Sequence, residues 1–312
     1  MRKVSVVIVS FNTRELLDKS IASVFAGSPD IEKEVIVVEN ASTDGSREML
    51  AGKYPDVKVI CNDDNRGYAP ACNQGLREAS GDYVLALNSD AFLVGDALSV
   101  MVEYMDAHPE VSALGPRLLN SDGSIQYECA RRSPTFWSQL VSLTLGLSSI
   151  PAMRRFYERR MPRSFYEKTN DVQVILGAAL FLRQDTLKRV GYLDDRLIVN
   201  SDDVEWCMRA RGMGCKLIYF PGAEIIHVGL ASRGFDANRM YARNIESLFN
   251  LYGMMHNWPK STVLKCAMIC NLGLILLRNC LVAPFSAGRR KRAASLWKLF
   301  VTAWRLALRG SK

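Results

Sequence analysis

The sequence predicts an α/β fold with a mostly parallel sheet flanked by helices. Apolar runs rich in β-branched residues recur along the first 90 residues, as in VSVVIV at residues 4–9. Runs without polar alternation are typical of central strands that are covered on both faces. Stretches with helical spacing separate these runs, and the repetition of strand and helix places successive strands parallel.

Four strands and three helices are predicted in the first part of the chain. The strands are expected at residues 4–9, 34–40, 57–61 and 82–88, and the helices at residues 13–26, 44–53 and 69–79. Parallel sheets of this kind bind ligands at the carboxyl ends of their strands. A ligand site is therefore expected in the residues that follow each strand.

After residue 95 the regular repetition stops. The next expected elements are a helix at residues 96–107, a hairpin turn at NSDGS (120–124), a buried strand or helix at 172–183, a helix with an acidic start at 201–214 and a strand at CKLIYFPG (215–222). Residues 132–170 join an apolar, aromatic stretch to a basic one. This segment fits a disordered excursion, a core helix or a lid that meets a membrane surface.

Charge divides the chain of 312 residues, whose formal net charge is +8, into two predicted domains. No acidic residue follows Glu246, whereas eleven Lys or Arg residues do. Residues 1–246 are predicted to form the α/β domain, and residues 247–312 a basic, amphipathic helical region with an anionic partner. Eight cysteines without CxxC spacing predict reduced, buried thiols in a cytosolic compartment.

Motifs exclude several common classes of protein. No GxGxxG follows the first strand and no GxxxxGK[ST] is present, which argues against a classical dinucleotide site and a P-loop. The N-terminal apolar run is short and lacks a cleavage site, so it is interpreted as a strand and not as a signal peptide.

Polar residues gather where each predicted strand ends. The exits contain Ser10 and Asn12, then Glu39, Asn40, Ser42 and Asp44, then NDDNRG at residues 62–67, and finally Asn88, Ser89 and Asp90. Such residues are also ordinary turn formers, and that alternative explains any single loop. Polar residues after four strands that end at the same edge of the sheet favour one shared ligand-binding crevice.

Three residues with ionisable side chains are candidates for catalysis or metal binding. Asp90, on a tight exit from a buried strand, is placed to hold a hard divalent cation beside a diphosphate. Asp203 lies among the carboxylates of a helix start and could act as a base, although an N-cap with a solvated first turn explains it equally well. His227 is either a structural histidine or a ligand.

Seven segments together resemble glycosyltransferase family 2, the inverting enzymes of GT-A fold, over about residues 3–232. The segments are VSVVIVSFN, VIVVENASTDGS, NRGYAPACNQGL, YVLALNSDAFL, GAALFLR, VNSDDVEWCMRARGMG and IYFPGAEIIHVG. The chain is most similar to the rhamnosyltransferase-like branch that builds bacterial surface polysaccharides. Residues 1–246 would then be the GT-A catalytic domain, with 132–170 as an acceptor or membrane lid.

The resemblance implies roles for individual residues. Donor-binding positions are implied at Ser10, Asn12, Glu39, Ser42, Asn65, Gly67, Asn73, Asn88 and Asp90. Asn88 and Asp90 fall on the family's D-x-D motif with Asn in place of the first Asp, and Glu39 stands where Asp is more usual. Asp90 and His227 are implied to bind a divalent metal, Mg²⁺ or Mn²⁺. Asp203 is implied to be the catalytic base.

The implied activity is transfer of one sugar, with rhamnose as a candidate, from a dTDP- or UDP-linked donor to a lipid-linked saccharide in surface polysaccharide synthesis. The Q-x-x-R-W motif of processive relatives is not found in the sequence, which favours a non-processive enzyme. The alternative is a catalytically inactive nucleotide-sugar-binding protein.

The C-terminal region is predicted to bind an anionic membrane surface. Residues 289–309 combine a basic cluster with a helical stripe of Leu296, Leu299, Phe300, Ala303 and Trp304. This stripe suits lipid better than nucleic acid, so a peripheral location on the cytoplasmic face of the inner or plasma membrane is expected. The alternative is a helix that packs on the domain or mediates a homodimer. Residues 266–277 are too short a run for a predicted span, and whether 263–285 enters the bilayer stays open.

Overall fold

The computed structural model describes residues 1–143, 159, 161–197, 201–229, 237–282 and 287–308, and these form two compact units. Unit 1 comprises Met1–Ser133, Arg160–Asp195 and Asp202–Gly234, and unit 2 comprises Pro134–Arg159, Arg196–Ser201 and Phe235–Lys312. Residues 144–158 and 160 of the predicted lid lie outside the described residues. The domain boundary predicted after residue 246 falls inside a helix, Ala237–Met255.

Unit 1 contains the strands and most of the shorter helices. The strands are β1 Lys3–Ser10, β2 Glu32–Glu39, β3 Lys58–Cys61, β4 Tyr83–Asn88, β5 Ala91–Leu93, β6 Val111–Leu119, β7 Ala130–Arg131, β8 Asn170–Asp171, β9 Val174–Ile175, β10 Ala179–Arg183 and β11 Lys216–His227. The helices of both units are α1 Arg14–Ala26, α2 Ser46–Lys53, α3 Tyr68–Glu78, α4 Ala97–Ala107, α5 Phe136–Leu143, α6 Gln184–Val190, α7 Asp202–Gly212, α8 Ala237–Met255, α9 Trp258–Val282 and α10 Ala287–Leu308.

The main sheet is parallel in its first half and mixed in its second. The order is β3-β2-β1-β4-β10-β6-β11-β5, with β8 paired to β11. The first four of these strands are parallel, β10 runs antiparallel to β4 and β6, and β5 runs antiparallel to β11. Val4–Ile8 are all buried in β1, the polar Ser5 included, as a central strand between two helical layers requires. The predicted fold class is confirmed.

Later elements follow the sequence prediction with one change that matters for the site. The NSDGS hairpin turn is present: Leu119 and Ile125 form an antiparallel bridge, and Gly123 takes φ +82°. The predicted strand or helix at 172–183 is two strands, β9 and β10. β11 extends to His227, which is therefore the last residue of a strand that pairs with β5.

Unit 2 is a helical unit with its own apolar core. The core residues are Ile245, Phe249 and Tyr252 of α8, Leu264, Met268 and Ile269 of α9, and Leu299 and Ala303 of α10. Leu299 and Ala303 belong to the stripe that was predicted to face lipid, and for them that prediction is wrong: they pack against the other helices. The exposed aromatic residues of α10 are Trp297 and Trp304, at 57% and 52% exposure.

The apolar part of α9 is longer than the uncharged run in the sequence suggests. Within the described ranges, Trp258–Leu277 is the one helical segment long and apolar enough to cross a membrane, with a mean hydropathy of 1.5. Only the length and composition of the segment support a membrane span, and the buried core helix of a protein can meet the same two criteria. Its residues Trp258, Val263, Leu274 and Leu277 are exposed.

The eight cysteines are all free thiols, as predicted. Cys72, Cys129, Cys207 and Cys215 are buried, but Cys61, Cys266, Cys270 and Cys280 are exposed. The prediction of burial is therefore wrong for half of them. Three of the exposed thiols lie on α9, where apolar neighbours in sequence do not imply burial because only one face of the helix packs inward.

Candidate active site

The carboxyl ends of β1 and β4 bring three hydroxyl groups together. Ser10 Oγ lies 3.0 Å from Thr13 Oγ1, and Thr13 Oγ1 donates to Ser89 Oγ at 2.9 Å. Since β1 and β4 are neighbouring parallel strands, their exits lie side by side. The structure therefore places Ser10 next to the turn that carries Asp90.

The exit of β2 is folded onto the exit of β1. The N–H of Asn12, a residue with φ 52°, donates to Ser42 Oγ at 3.0 Å. Glu39 Oε1 accepts from the Ser42 N–H at 2.6 Å, and Glu39 Oε2 accepts from Arg47 Nε. The Glu39 carboxylate is fully buried, and a buried charge needs a partner, which Arg47 supplies. Three predicted donor residues, Asn12, Glu39 and Ser42, thus form one hydrogen-bonded loop.

Asn65 and Gly67 shape the exit of β3. Asn65 Oδ1 accepts from the Gly67 N–H at 2.9 Å and from Asn40 Nδ2 at 3.0 Å. Gly67 has φ +91°, which favours glycine. The Nδ2 of Asn65 is buried and has no hydrogen-bond partner in the part of the chain that the structure describes. Because an unsatisfied buried donor costs free energy, Asn65 is suited to bind an acceptor atom of a ligand.

Asn73 lies on α3 with its amide directed to another loop. Its Nδ2 donates to Leu193 O at 2.8 Å and to Asp195 Oδ1 at 2.5 Å, and its Oδ1 accepts from the Leu193 N–H at 3.0 Å. Both amide hydrogens are therefore used to anchor the 193–195 segment. The structure does not bring Asn73 into the hydrogen-bonded loops of the other predicted donor residues.

Asp90, Asn88 and His227 meet where β4 turns into β5. His227 Nε2 lies 3.4 Å from Asp90 Oδ1 and 3.4 Å from Asn88 Nδ2, and Asp90 is 1% exposed. Gln126 Nε2 donates to the backbone oxygen of His227 at 2.6 Å, which fixes the orientation of that amide. Gln126 Oε1 then faces His227 Nδ1 at 2.9 Å and can only accept, so Nδ1 carries a proton. Nε2 is the ring nitrogen that faces Asp90.

Asp203 lies on the first turn of α7 and is held by three donors. Its Oδ2 accepts from Arg131 Nη2 at 2.8 Å and from the Gly177 N–H at 3.1 Å, and its Oδ1 accepts from the Val204 N–H at 2.7 Å. A Cβ at residue 177 would lie 3.2 Å from Asp203 Cβ, so glycine permits this close approach.

Two consecutive residues connect the two candidate clusters. Gly177 donates its N–H to Asp203, and the carbonyl of the next residue, Ala178, accepts from the Asn88 N–H at 3.0 Å. The acids at positions 90 and 203, far apart in sequence, are thus joined through the short turn between β9 and β10. The start of α7 and the exit of β4 are therefore both hydrogen-bonded to this turn.

Asp202 precedes Asp203 and lies in an apolar environment. A cavity of about 10 Å³ beside it is lined by Leu180, Leu182, Leu187 and Trp206 among others. Burial, and next the charge of Asp203, raise the pKa of Asp202 to about 7. The two neighbouring carboxylates therefore differ in environment, since Asp203 has Arg131 and Asp202 has apolar walls.

Comparison with known proteins decides the family. The family described as Glycosyl transferase family 2 matches residues 5–190, more than half of the chain. The chain belongs to glycosyltransferase family 2. One curated relative is the N-acetylglucosaminyl-diphospho-decaprenol L-rhamnosyltransferase of Mycobacterium tuberculosis, which is 25% identical over 300 residues covering 92% of this chain and 95% of the relative.

Two solved structures share the GT-A fold with this glycosyltransferase. The mannosyltransferase PcManGT from Pyrobaculum calidifontis, solved with GDP-Man and Mn²⁺, aligns with a TM-score of 0.56 at 19% identity over 98% of this chain and 87% of that chain. Residues 1–349 of S. aureus TarS align with a TM-score of 0.53 at 15% identity over 97% of this chain and 91% of that chain. The resemblance inferred from the motifs is confirmed, and the protein is a glycosyltransferase.

The residues at the exit of β4 fit a divalent cation as an incomplete ligand set. Asp90 offers carboxylate oxygens and His227 offers Nε2, and these are atoms that Mn²⁺ and, for the carboxylate, Mg²⁺ accept as ligands. Within the described residues, no group of three or more His, Cys, Asp or Glu side chains could hold a metal ion. A cation at this glycosyltransferase site would need diphosphate oxygens and water to complete its coordination.

Three residues at the site were not predicted from the sequence: Arg47, Gln126 and Arg131. Arg47 could have been expected, because an acidic residue at the end of a buried strand needs a nearby cation and Arg47 lies eight residues after Glu39. Nothing in the sequence around Gln126 or Arg131 indicated that these residues belong to the site. They are separated by 101 and 72 residues from the side chains they contact.

Proposed function

We propose that this glycosyltransferase moves one sugar per visit, with inversion, from a dTDP- or UDP-linked donor to a lipid-linked saccharide at the cytoplasmic face of a membrane. The observation that carries the proposal is the Gly177–Ala178 connection, which joins Asp203 to the exit that bears Asp90 and His227. A base and a diphosphate site must flank one anomeric carbon in such a reaction. Rhamnose is the first sugar to test, because the mycobacterial relative is named a rhamnosyltransferase.

Asp203 retains one acceptor position for a proton. An ionised carboxylate has about four lone-pair positions. Two on Oδ2 and one on Oδ1 are used by Arg131, Gly177 and Val204. The remaining position on Oδ1 takes the proton of the acceptor hydroxyl, whose oxygen forms the new bond to the anomeric carbon as the bond to the diphosphate breaks. The bonding electrons leave with the diphosphate, and attack from the opposite face inverts the centre.

The donor side is assigned to the loops at the exits of β1 to β4. Asn65 Nδ2 offers a buried donor, and the loop of Asn12, Glu39 and Ser42 is ordered before any ligand binds. Asp90 and His227 would hold Mg²⁺ or Mn²⁺, which would supply positive charge to the departing diphosphate. Gln126 binds Nδ1 of His227, so that Nε2 is the ring nitrogen on the side of Asp90.

A test of the function uses the purified chain with a panel of dTDP- and UDP-sugars and N-acetylglucosaminyl-diphospho-polyprenol as acceptor. We expect one sugar to be added, with stoichiometric release of nucleoside diphosphate, and no further elongation. Mass spectrometry of the glycolipid measures the number of sugars added. Donor binding without transfer to any lipid-linked acceptor would instead favour the non-catalytic nucleotide-sugar-binding protein.

The membrane partner is assigned to exposed tryptophans and basic residues of unit 2. Trp258, Trp297 and Trp304 are 78%, 57% and 52% exposed, and Lys298 and Arg305 are exposed next to the last two. Amphipathic rings beside cations suit the headgroup layer of an anionic bilayer. Removal of α10 would also remove Leu299 and Ala303 from the helical core, so point substitutions test this surface better than truncation.

The double variant Trp297→Glu/Trp304→Glu is expected to lose most co-flotation with phosphatidylglycerol vesicles, because two anchoring rings are replaced by charges that anionic lipid repels. Sucrose-gradient flotation measures the bound fraction, with phosphatidylcholine vesicles as the uncharged comparison. Phe25→Glu is the matched control, since Phe25 is an exposed ring, 46% accessible, on α1 of unit 1. Equal flotation of the double variant and the parent protein would contradict the assignment.

A further inference from the structure

Two consecutive carboxylates at the start of α7 are both nearly buried, and a cation pairs with one of them. Asp202 and Asp203 are 6% and 7% exposed. Arg131 Nη2 lies 2.8 Å from Asp203 Oδ2, and the side chains of this pair are 15% and 9% exposed. Two buried neighbouring carboxylates repel each other when both are ionised, so one of them tends to keep a proton.

Among the described residues, three other titratable side chains lie beside this pair and are uncharged at neutral pH. Burial raises the pKa of Tyr68 well above its ordinary value and the pKa of Cys72 to about 12, and both residues lie on α3. Burial likewise raises the pKa of Cys207, on α7 itself, to about 12. Arg131 is therefore the charged group that distinguishes Asp203 from Asp202.

Arg131 is held in place by the strand pair that leads to the site. β7 pairs with β9, with Arg131 opposite Val174 and Ala130 opposite Ile175. The Tyr166 hydroxyl donates to the carbonyl of Ala130 at 2.8 Å. Two residues after the end of β9 comes Gly177, whose N–H donates to the same Asp203 oxygen as Arg131 does. The guanidinium and this N–H converge on Oδ2 and leave Oδ1 directed away from them.

We propose that Arg131 is the positioning residue that makes Asp203, and not Asp202, the base of this glycosyltransferase, by holding Asp203 ionised and oriented while Asp202 carries the proton of the pair. The inference rests on the proposed role of Asp203. Arg131 itself takes no proton, because its guanidinium remains charged throughout. Its contribution is to direct the single proton of the pair to Asp202, which leaves Asp203 Oδ1 ready to accept the hydrogen of the acceptor hydroxyl.

The test compares Arg131→Gln, Arg131→Lys and the matched control Arg132→Gln, which makes the same charge change at the adjacent exposed residue. In Arg131→Gln the proton is shared by both carboxylates, so the ionised base is formed only at higher pH. We expect the acidic limb of kcat/KM to move upward by about one pH unit or more, and kcat at neutral pH to fall about tenfold or more. The donor KM should stay within about threefold of the parent value.

The conservative variant and the control separate charge from structure. Arg131→Lys keeps the cation, so its acidic limb should lie close to that of the parent protein with a smaller loss of kcat. Arg132→Gln should retain the parent profile. If Arg131→Gln does not fold, as judged by its melting temperature with and without nucleoside diphosphate, the kcat of Arg131→Lys decides: the proposal requires a loss that Arg132→Gln does not show, and equal kcat in the two variants refutes it.

Two results would overturn the inference, and a third would overturn its premise. An acidic limb of Arg131→Gln that superimposes on the parent limb defeats the role of Arg131. So does a loss that falls wholly on donor KM, since that indicates a role in donor binding. If Asp203→Asn retains transfer, Asp203 is not the base. If Asp203→Asn is inactive but the acidic limb of Arg131→Gln does not move, only the positioning role of Arg131 is refuted.

Discussion

Asp203→Asn is expected to lower sugar transfer by about a thousandfold and to leave donor affinity within about twofold. The amide cannot accept the proton of the acceptor hydroxyl, so the attacking oxygen stays protonated. The donor loops at the exits of β1 to β3 make their own hydrogen bonds and do not depend on this side chain. Transfer is measured as nucleoside diphosphate release, and donor affinity by calorimetry.

Glu205→Gln is the control for this substitution. Glu205 lies on the same first turn of α7 and pairs with Arg209 at 2.8 Å along the helix surface. The control removes one carboxylate from the helix start without touching Arg131 or Gly177, and we expect nearly parent turnover. Turnover of Asp203→Asn equal to that of this control would rule out Asp203 as the base.

Local elements of the sheet were predictable because each depends on its own residues. The strand expected at residues 4–9 is Lys3–Ser10, and the strand expected at 82–88 is Tyr83–Asn88. A short apolar run rich in β-branched residues and bounded by turn residues favours a strand that is covered on both faces. The polar exits could be predicted for the same reason, since parallel strands end at one edge of the sheet.

The partners of the site residues could not be predicted, because they come from distant parts of the chain. Arg131 follows no motif, and its pairing with Asp203 depends on the register of β7 against β9. Asn73 illustrates the opposite case: a residue that matches the family's donor pattern uses its amide hydrogens to anchor Leu193 and Asp195. A motif fixes the residue type at a position, whereas the tertiary fold fixes what the side chain contacts.

The C-terminal helix shows why a stripe of apolar residues does not identify what it faces. Leu299 and Ala303 have the spacing of an interfacial helix, and the same spacing serves a helix that packs on two others. Helical periodicity defines a face but not the surface that covers it. The exposed rings of Trp297 and Trp304 lie outside that buried face, and the proposed membrane contact of α10 depends on them.

Asp90→Ala is expected to weaken donor binding in the presence of Mg²⁺ or Mn²⁺ by at least about tenfold, with little change when the metal is chelated. Asp90 is 1% exposed at the β4 exit and its Oδ1 lies 3.4 Å from His227 Nε2, so the substitution removes the carboxylate from the proposed ligand pair. Calorimetric titration of nucleoside diphosphate with and without metal gives both affinities. Asp171→Ala is the control, because Asp171 is a half-exposed acid that pairs with Arg211 on the surface. If the metal increases donor affinity equally in Asp90→Ala and in the control, the cation is held elsewhere. That result would contradict the placement of the diphosphate at the exit of β4.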